Sequence, residues 1–187
     1  MKKLLIVVGI ILMGNTAKAQ DYYHGLGGQI NYGLFVSQGS TIGAYVPGFV
    51  YKATLGFDGG RGPSFGLSAY PFAGLSFNTA AGSSLGAELP IVGEVHFREF
   101  DDRDFFIGAG FSASFTAGDG DFGGGGGSIL GPQLSLGGQF EAAGRLLGLR
   151  FAYTYGVNRN KTTDLLGVES LTKKSLFSLG AYYLFGQ

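Results

Sequence analysis

Few side chains in this sequence carry chemistry. Lys52, Glu94, His96, Glu141 and Arg150 fall near one another in height once the chain is laid out as strands, and all five are expected in one interior charge network. Two functions suit such a set: a gate or proton site, or a structural ion-pair network filling a narrow interior, where unpaired charge is costly. Glu94 and Arg150 each lie three residues from the same end of their strands and are expected to approach each other. His24 and His96 are the only histidines, and a general base needs a nucleophile within hydrogen-bond reach. His96-Phe97-Arg98 supplies none. Gly82-Ser83-Ser84-Leu85-Gly86 fits G-x-S-x-G, but that motif works only on a strand-turn-helix elbow, and a surface loop is expected here. Gly118–Gly123 fits G-x-G-x-x-G without the helix a dinucleotide site needs. Asp119 and Asp121 lack the remaining ligands of a calcium loop, and the acidic turn Glu99–Asp104 has no histidine support. No cofactor or metal is expected. Arg159, Lys161, Lys173 and Lys174 are placed to meet lipid phosphates at a membrane surface.

The elements that hold these residues follow from composition and period. Of 187 residues, 36 are glycine, 17 Phe and 10 Tyr, with no Cys and no Trp. Charged residues are 14%, against about 25% in soluble domains. So much glycine excludes a helical bundle, so much Phe and Tyr excludes disorder, and no strict glycine period marks a collagen. Met1-Lys2-Lys3, the apolar run Leu4–Met13 and Ala17-Lys18-Ala19 have the layout of a secretory signal peptide. Residues 1–19 are therefore expected to be cleaved, leaving 20–187 as one domain. The remainder is acidic on balance and has no basic stripe, so no nucleic-acid partner is expected.

Period two runs through eight segments: Leu26–Val36, Phe49–Phe57, Phe65–Phe77, Leu89–Phe97, Phe105–Phe115, Leu130–Phe140, Leu147–Val157 and Phe177–Phe185. One parity holds only apolar residues, Tyr, Gly and Pro. The other carries Gln29, Asn31, Lys52, Thr54, Ser68, Glu94, Ser112, Gln133, Arg150 and Ser178 among many glycines. A soluble sandwich also alternates, but small polar groups suit the inside of a narrow barrel, and a wide aromatic-edged apolar face suits lipid. Long connections at 37–48, 78–88, 116–129 and 158–176 alternate with short ones at 58–64, 98–104 and 141–146. Phe57, Phe65, Phe97, Phe105, Phe140 and Phe185 gather at the short-turn rim as an aromatic girdle. The expected fold is an all-β, eight-stranded antiparallel up-and-down transmembrane β-barrel, with ten strands open if the first connection hides a pair. Pro47, Pro71 and Pro132 are expected near a rim or bulge.

Ser178-Leu-Gly180-Ala-Tyr-Tyr183-Leu-Phe185 resembles the C-terminal signal of outer-membrane barrels, which implies the barrel-assembly machinery as a biogenesis partner read through Ser178, Gly180, Tyr183 and Phe185. Glu88-Leu89-Pro90-Ile91-Val92 resembles the "LE-(I/L)-P" strand of the outer-membrane protein beta-barrel domain family, the PorT-like group, and the architecture resembles the small OmpA/OmpX-type barrels. These resemblances imply a monomer in the outer-membrane bilayer, non-enzymatic, acting through surface loops or in envelope integrity. A small pore or transporter is the first alternative. A lipid A-modifying enzyme is the second, although lipid A deacylases resemble a His-x-Ser arrangement that His96 lacks. A soluble lipocalin-like barrel is disfavoured by the absence of Trp and by the polar inward face.

Overall fold

The computed structural model describes residues 20–37, 40–57, 63–78, 82–98, 103–118, 128–142, 144–158, 160–163 and 169–185. The expected leader, the five-glycine run and the glycine motif beyond Gly118 lie outside them. Among the described residues every regular element is a strand: β1 Gln20–Ser37, β2 Ser40–Phe57, β3 Ser64–Ala69, β4 Phe72–Asn78, β5 Gly82–Arg98, β6 Arg103–Gly118, β7 Ser128–Ala142, β8 Arg145–Tyr155, β9 Asn160–Thr163 and β10 Glu169–Phe185.

These segments make an eight-stranded wall. β3 and β4 are two lengths of one strand, and β9 pairs with the outer part of β10. β1 pairs antiparallel with both β2 and β10, so the sheet closes on itself and the two described ends meet at one rim, His24 opposite Phe185. Parity runs as hydrocarbon demands. Phe49, Phe65, Ile91, Phe111, Leu134, Leu149 and Phe151 are exposed on the outside, while Gln29, Asn31, Lys52, Glu94, Gln133 and Arg150 are buried in the lumen. The inward face is not purely polar. Val46, Val50, Tyr70, Phe72, Tyr182 and Leu184 form an apolar cluster within it.

The long connections contract. β2 starts inside the expected 37–48 connection, β5 inside 78–88, and β9 and β10 occupy much of 158–176. The strands continue into the expected connections, where inward positions such as Val46, Glu88 and Lys174 are still buried, but Ser40–Val46 and Glu169–Lys174 keep no regular apolar alternation. Two prolines sit where a ladder ends: Pro47 beside the last β2–β4 pair, Gly48 with Gly74, and Pro132 beside the last β7–β8 pair, Gln133 with Thr154. Pro71 departs from expectation. It interrupts the wall at mid-height with no bulge, since β3 and β4 keep one register against both β2 and β5. The Pro71 carbonyl still accepts the Tyr51 N–H at 2.9 Å, and the Tyr70 N–H donates to the Pro90 carbonyl at 3.2 Å.

Candidate functional site

The lumen holds two polar clusters, stacked one above the other. The lower begins near the short-turn rim. Period two on β5 turns Glu88, Pro90, Val92, Glu94 and His96 inward together, and all are buried. His96 bridges two carboxylates: Nδ1 lies 2.5 Å from Asp104 Oδ2 and Nε2 lies 3.3 Å from Glu94 Oε2. Glu94 also accepts from Ser68 Oγ and from the Tyr70 hydroxyl, both at 2.5 Å. Ser68 and Thr54 hydroxyls meet at 2.8 Å.

Lys52 reaches this carboxylate only at 3.9 Å. Its ammonium is held instead among three rings, 4.9 Å from the Phe106 centroid, 5.2 Å from Tyr182 and 5.5 Å from Tyr70. Ring faces carry negative quadrupole charge and attract a desolvated cation. Tyr70 serves a second cation as well, for the Arg150 guanidinium carbon lies 3.9 Å from its centroid. The rings fit because glycines face them. A Cβ on Gly137 would fall 2.3 Å from Phe106 Cζ, and one on Gly148 would fall 2.0 Å from Tyr182 Cε2.

The upper cluster centres on Glu88. Its Oε2 accepts from Asn31 Nδ2 at 2.8 Å, Gln29 Nε2 at 3.2 Å and Ser178 Oγ at 3.3 Å. Its Oε1 accepts from Ser112 Oγ at 2.8 Å and Gln133 Nε2 at 3.1 Å. Five neutral donors from β1, β6, β7 and β10 thus converge on one buried carboxylate. Gln133 joins the clusters, because its Oε1 accepts from Arg150 Nη2 at 2.5 Å.

Of the residues singled out in the sequence, Lys52, Glu94, His96 and Arg150 line the lumen. Glu141 does not join them. It is exposed near the end of β7, paired with Leu146 beside the last short turn, where water reaches it. Glu94 and Arg150 form no ion pair among the described residues. Arg150 sits between Gly137 and Gly180 on its neighbouring strands, and the Tyr70 ring touches both groups without joining them. His24 lies within β1 rather than before it, facing outward against Phe185 at 4.4 Å and with Nδ1 3.3 Å from the Tyr51 hydroxyl. Gly82–Gly86 is the start of β5, not an elbow. Of the C-terminal signal, Ser178 and Gly180 turn inward, whereas Tyr183 and Phe185 turn outward and stack at 5.9 Å. Lys174 turns inward, its Nζ donating to the Ser128 carbonyl at 3.0 Å.

Sequence reasoning missed Glu88, Tyr70 and Asp104 as members of the site, and it placed Gln133 inward without its link to Arg150. Glu88 is legible from parity, sharing the inward side of β5 with Glu94, but the expected connection 78–88 ends on it. Among the described residues no group of three or more His, Asp or Glu is arranged to hold a metal ion.

No family model matches the sequence, and no curated protein matches it. Solved structures do resemble the fold. Ail, the attachment invasion locus protein of Yersinia pestis, superposes with a TM-score of 0.54 at 13% identity, over 88% of this chain and 99% of its own. The outer membrane protein AlkL superposes with 0.52 at 14% identity, over 91% and 95%. OprG from Pseudomonas aeruginosa superposes with 0.50 at 11% identity, over 91% and 98%. At such identities the likeness concerns the fold. A closed, all-antiparallel wall with an apolar exterior and a polar lumen, shared with these proteins, makes the chain an eight-stranded transmembrane β-barrel of the outer-membrane type.

Proposed function

We propose that the protein is a closed, non-enzymatic, monomeric barrel that works at the rim opposite its termini, presenting loops or supporting the envelope. The observation that carries this reading is the filled lumen. Lys52 with its three rings, Glu94 with His96, and Glu88 with its five donors interlock across the bore, where an eight-stranded barrel has room for side chains and little else. Both imidazole nitrogens of His96 face carboxylates, which favours a structural over a catalytic histidine. The rim carrying the described ends and the short turns is assigned to the periplasm, by the general orientation of such barrels. Delivery by the barrel-assembly machinery through Ser178, Gly180, Tyr183 and Phe185, and kinship with the PorT-like group through Leu89–Val92, belong to the same reading.

Planar-bilayer recording tests the closed lumen. The purified barrel is expected to give no steady current steps, and ion-sized steps of constant amplitude would move the assignment to a small pore. Mass spectrometry of lipid A from cells with and without the protein tests the enzymatic alternative. Identical acyl patterns are expected, and a chain gained or lost would overturn the non-enzymatic reading.

A further inference from the structure

The joint between the two lumenal clusters is polar, and protein groups satisfy it only in part. Arg150 is 2% exposed and bonds through one nitrogen: Nη2 donates to Gln133 Oε1, whereas Nε and Nη1 meet no protein acceptor. The hydroxyl of Ser135, a residue 6% exposed, has no protein partner either. Among the described residues the one other buried side-chain atom in this condition is Asp104 Oδ1, at the short-turn side.

The Arg150 and Ser135 atoms belong to one place. Ser135 pairs with Gly108 on β6 and with Ala152 on β8. Arg150 pairs with Gly137, the next inward residue below Ser135 on β7, yet bonds Gln133, the next inward residue above it. Its side chain therefore runs past Ser135. The Tyr70 ring covers one face of the guanidinium at 3.9 Å, so further partners must enter in its plane, where the N–H groups point. Glycine leaves side-chain space here. Gly180 flanks Arg150 on β10, and a Cβ there would meet nothing nearer than Gln29 Oε1 at 3.3 Å. Gly108 lets Ser135 Oγ and Glu94 Cγ close in, 2.7 and 3.1 Å from where its Cβ would stand, so the hydroxyl faces the lower cluster as well.

Buried donors without acceptors are costly, most of all on a cation. Charge does not call for an anion to meet them. With His96 neutral, the inward cations Lys52, Arg150 and Lys174 are matched in number by Glu88, Glu94 and Asp104 among the described residues. The leftover groups call for a small neutral molecule that accepts from the guanidinium and exchanges a hydrogen bond with the hydroxyl. Water does both, and buried waters settle on such otherwise unsatisfied groups.

We propose that a buried water, held jointly by Arg150 and Ser135, bridges the lower and upper clusters as a structural part of the plug. The inference deepens the reading of a filled lumen by giving that filling a component outside the protein chain.

The test is a crystal structure of the full barrel grown with bromide in place of chloride. A density peak is expected about 2.7–3.2 Å from Ser135 Oγ and from Arg150 Nε or Nη1, with no anomalous signal. No peak there would overturn the proposal, and an anomalous peak would overturn it in favour of an anion. Ser135→Ala supplies a second measurement, the urea midpoint of the folded barrel in lipid vesicles. Loss of the water's seat is expected to lower it. A hydroxyl with no partner predicts the reverse, since its deletion relieves a buried unsatisfied group, and an unchanged or raised midpoint would overturn the proposal. Should Ser135→Ala not fold, the bromide structure of the unaltered chain decides alone. Planar-bilayer recording reads the other claim separately. A silent barrel without the water removes this inference alone, whereas a conducting barrel that keeps it removes only the closed-lumen reading.

Discussion

Tyr70 has two roles in the lumen, and two substitutions separate them. Tyr70→Phe removes only the hydroxyl that donates to Glu94. A hydrogen bond to a charged acceptor contributes about 1.5–3 kcal/mol. Glu94 keeps Ser68, His96 and Lys52, so the lower end, about 1.5 kcal/mol, is expected. Tyr70→Leu also removes the ring that faces Arg150 at 3.9 Å and Lys52 at 5.5 Å. Lys52 retains Phe106 and Tyr182, but no other aromatic contact is recorded for Arg150 among the described residues. A desolvated cation–π contact is worth about 2 kcal/mol. With the packing lost by shrinking the ring, Tyr70→Leu is expected to cost roughly 4 kcal/mol. The chain has no Trp, so the assay is a urea titration in lipid vesicles read by the gel mobility of the heat-sensitive folded band. Tyr153→Phe serves as the control, because its hydroxyl meets Ser175 at 3.2 Å outside the lumen network. Equal midpoints for Tyr70→Leu and Tyr70→Phe would refute the ring as a seat for Arg150. A Tyr70→Phe midpoint equal to that of the control would remove the hydroxyl from the account.

Glu88→Ala is expected to cost at least about 3 kcal/mol in the same titration, since it strands Asn31 Nδ2 and the Ser112 and Ser178 hydroxyls, while Gln29 and Gln133 keep Asn31 and Thr154 as acceptors. Glu141→Ala, at an exposed position, is expected to stay within about 0.5 kcal/mol of the parent. Gly110→Ala is expected to block formation of the folded band, because its Cβ would stand 2.0 Å from the Ile91 carbonyl oxygen, whereas Gly93→Ala, with nothing nearer than 3.8 Å, is expected to fold normally. Phe111→Arg puts a charge on the lipid face and is expected to destabilise the barrel by about 2–4 kcal/mol if that site lies near the bilayer midplane, with vesicle-refolding yield as the measure.

The wall was readable and the contents of the bore were only partly so, for different physical reasons. Lipid imposes a strict rule on each outward position, and Phe111, Leu149 and Phe151 obey it residue by residue. The first residues of β2 lose this signal, whereas Glu88 keeps it, standing inward between the outward Ala87 and Leu89, and escapes only a reading that begins the strand at Leu89. Inside, parity marks who faces the bore but not who meets whom. Glu94 and Arg150 sit equally far from one rim, yet the stagger between strands and the intervening Tyr70 ring give Arg150 to Gln133 instead. The aromatic seats of Lys52 were equally hidden, because Tyr70, Phe106 and Tyr182 come from three strands far apart in sequence.

The glycines beneath the two lumenal rings bear on how the C-terminal half finds its alignment. Phe106 on β6 needs Gly137 on β7, and Tyr182 on β10 needs Gly148 on β8. A slip of one residue would turn a ring toward lipid. A slip of two would keep it facing inward but press it against Ser135 or Gln139 in one case and Leu146 or Arg150 in the other. Each ring therefore proofreads the strand beside it, rejecting near-correct threadings that backbone pairing alone would accept.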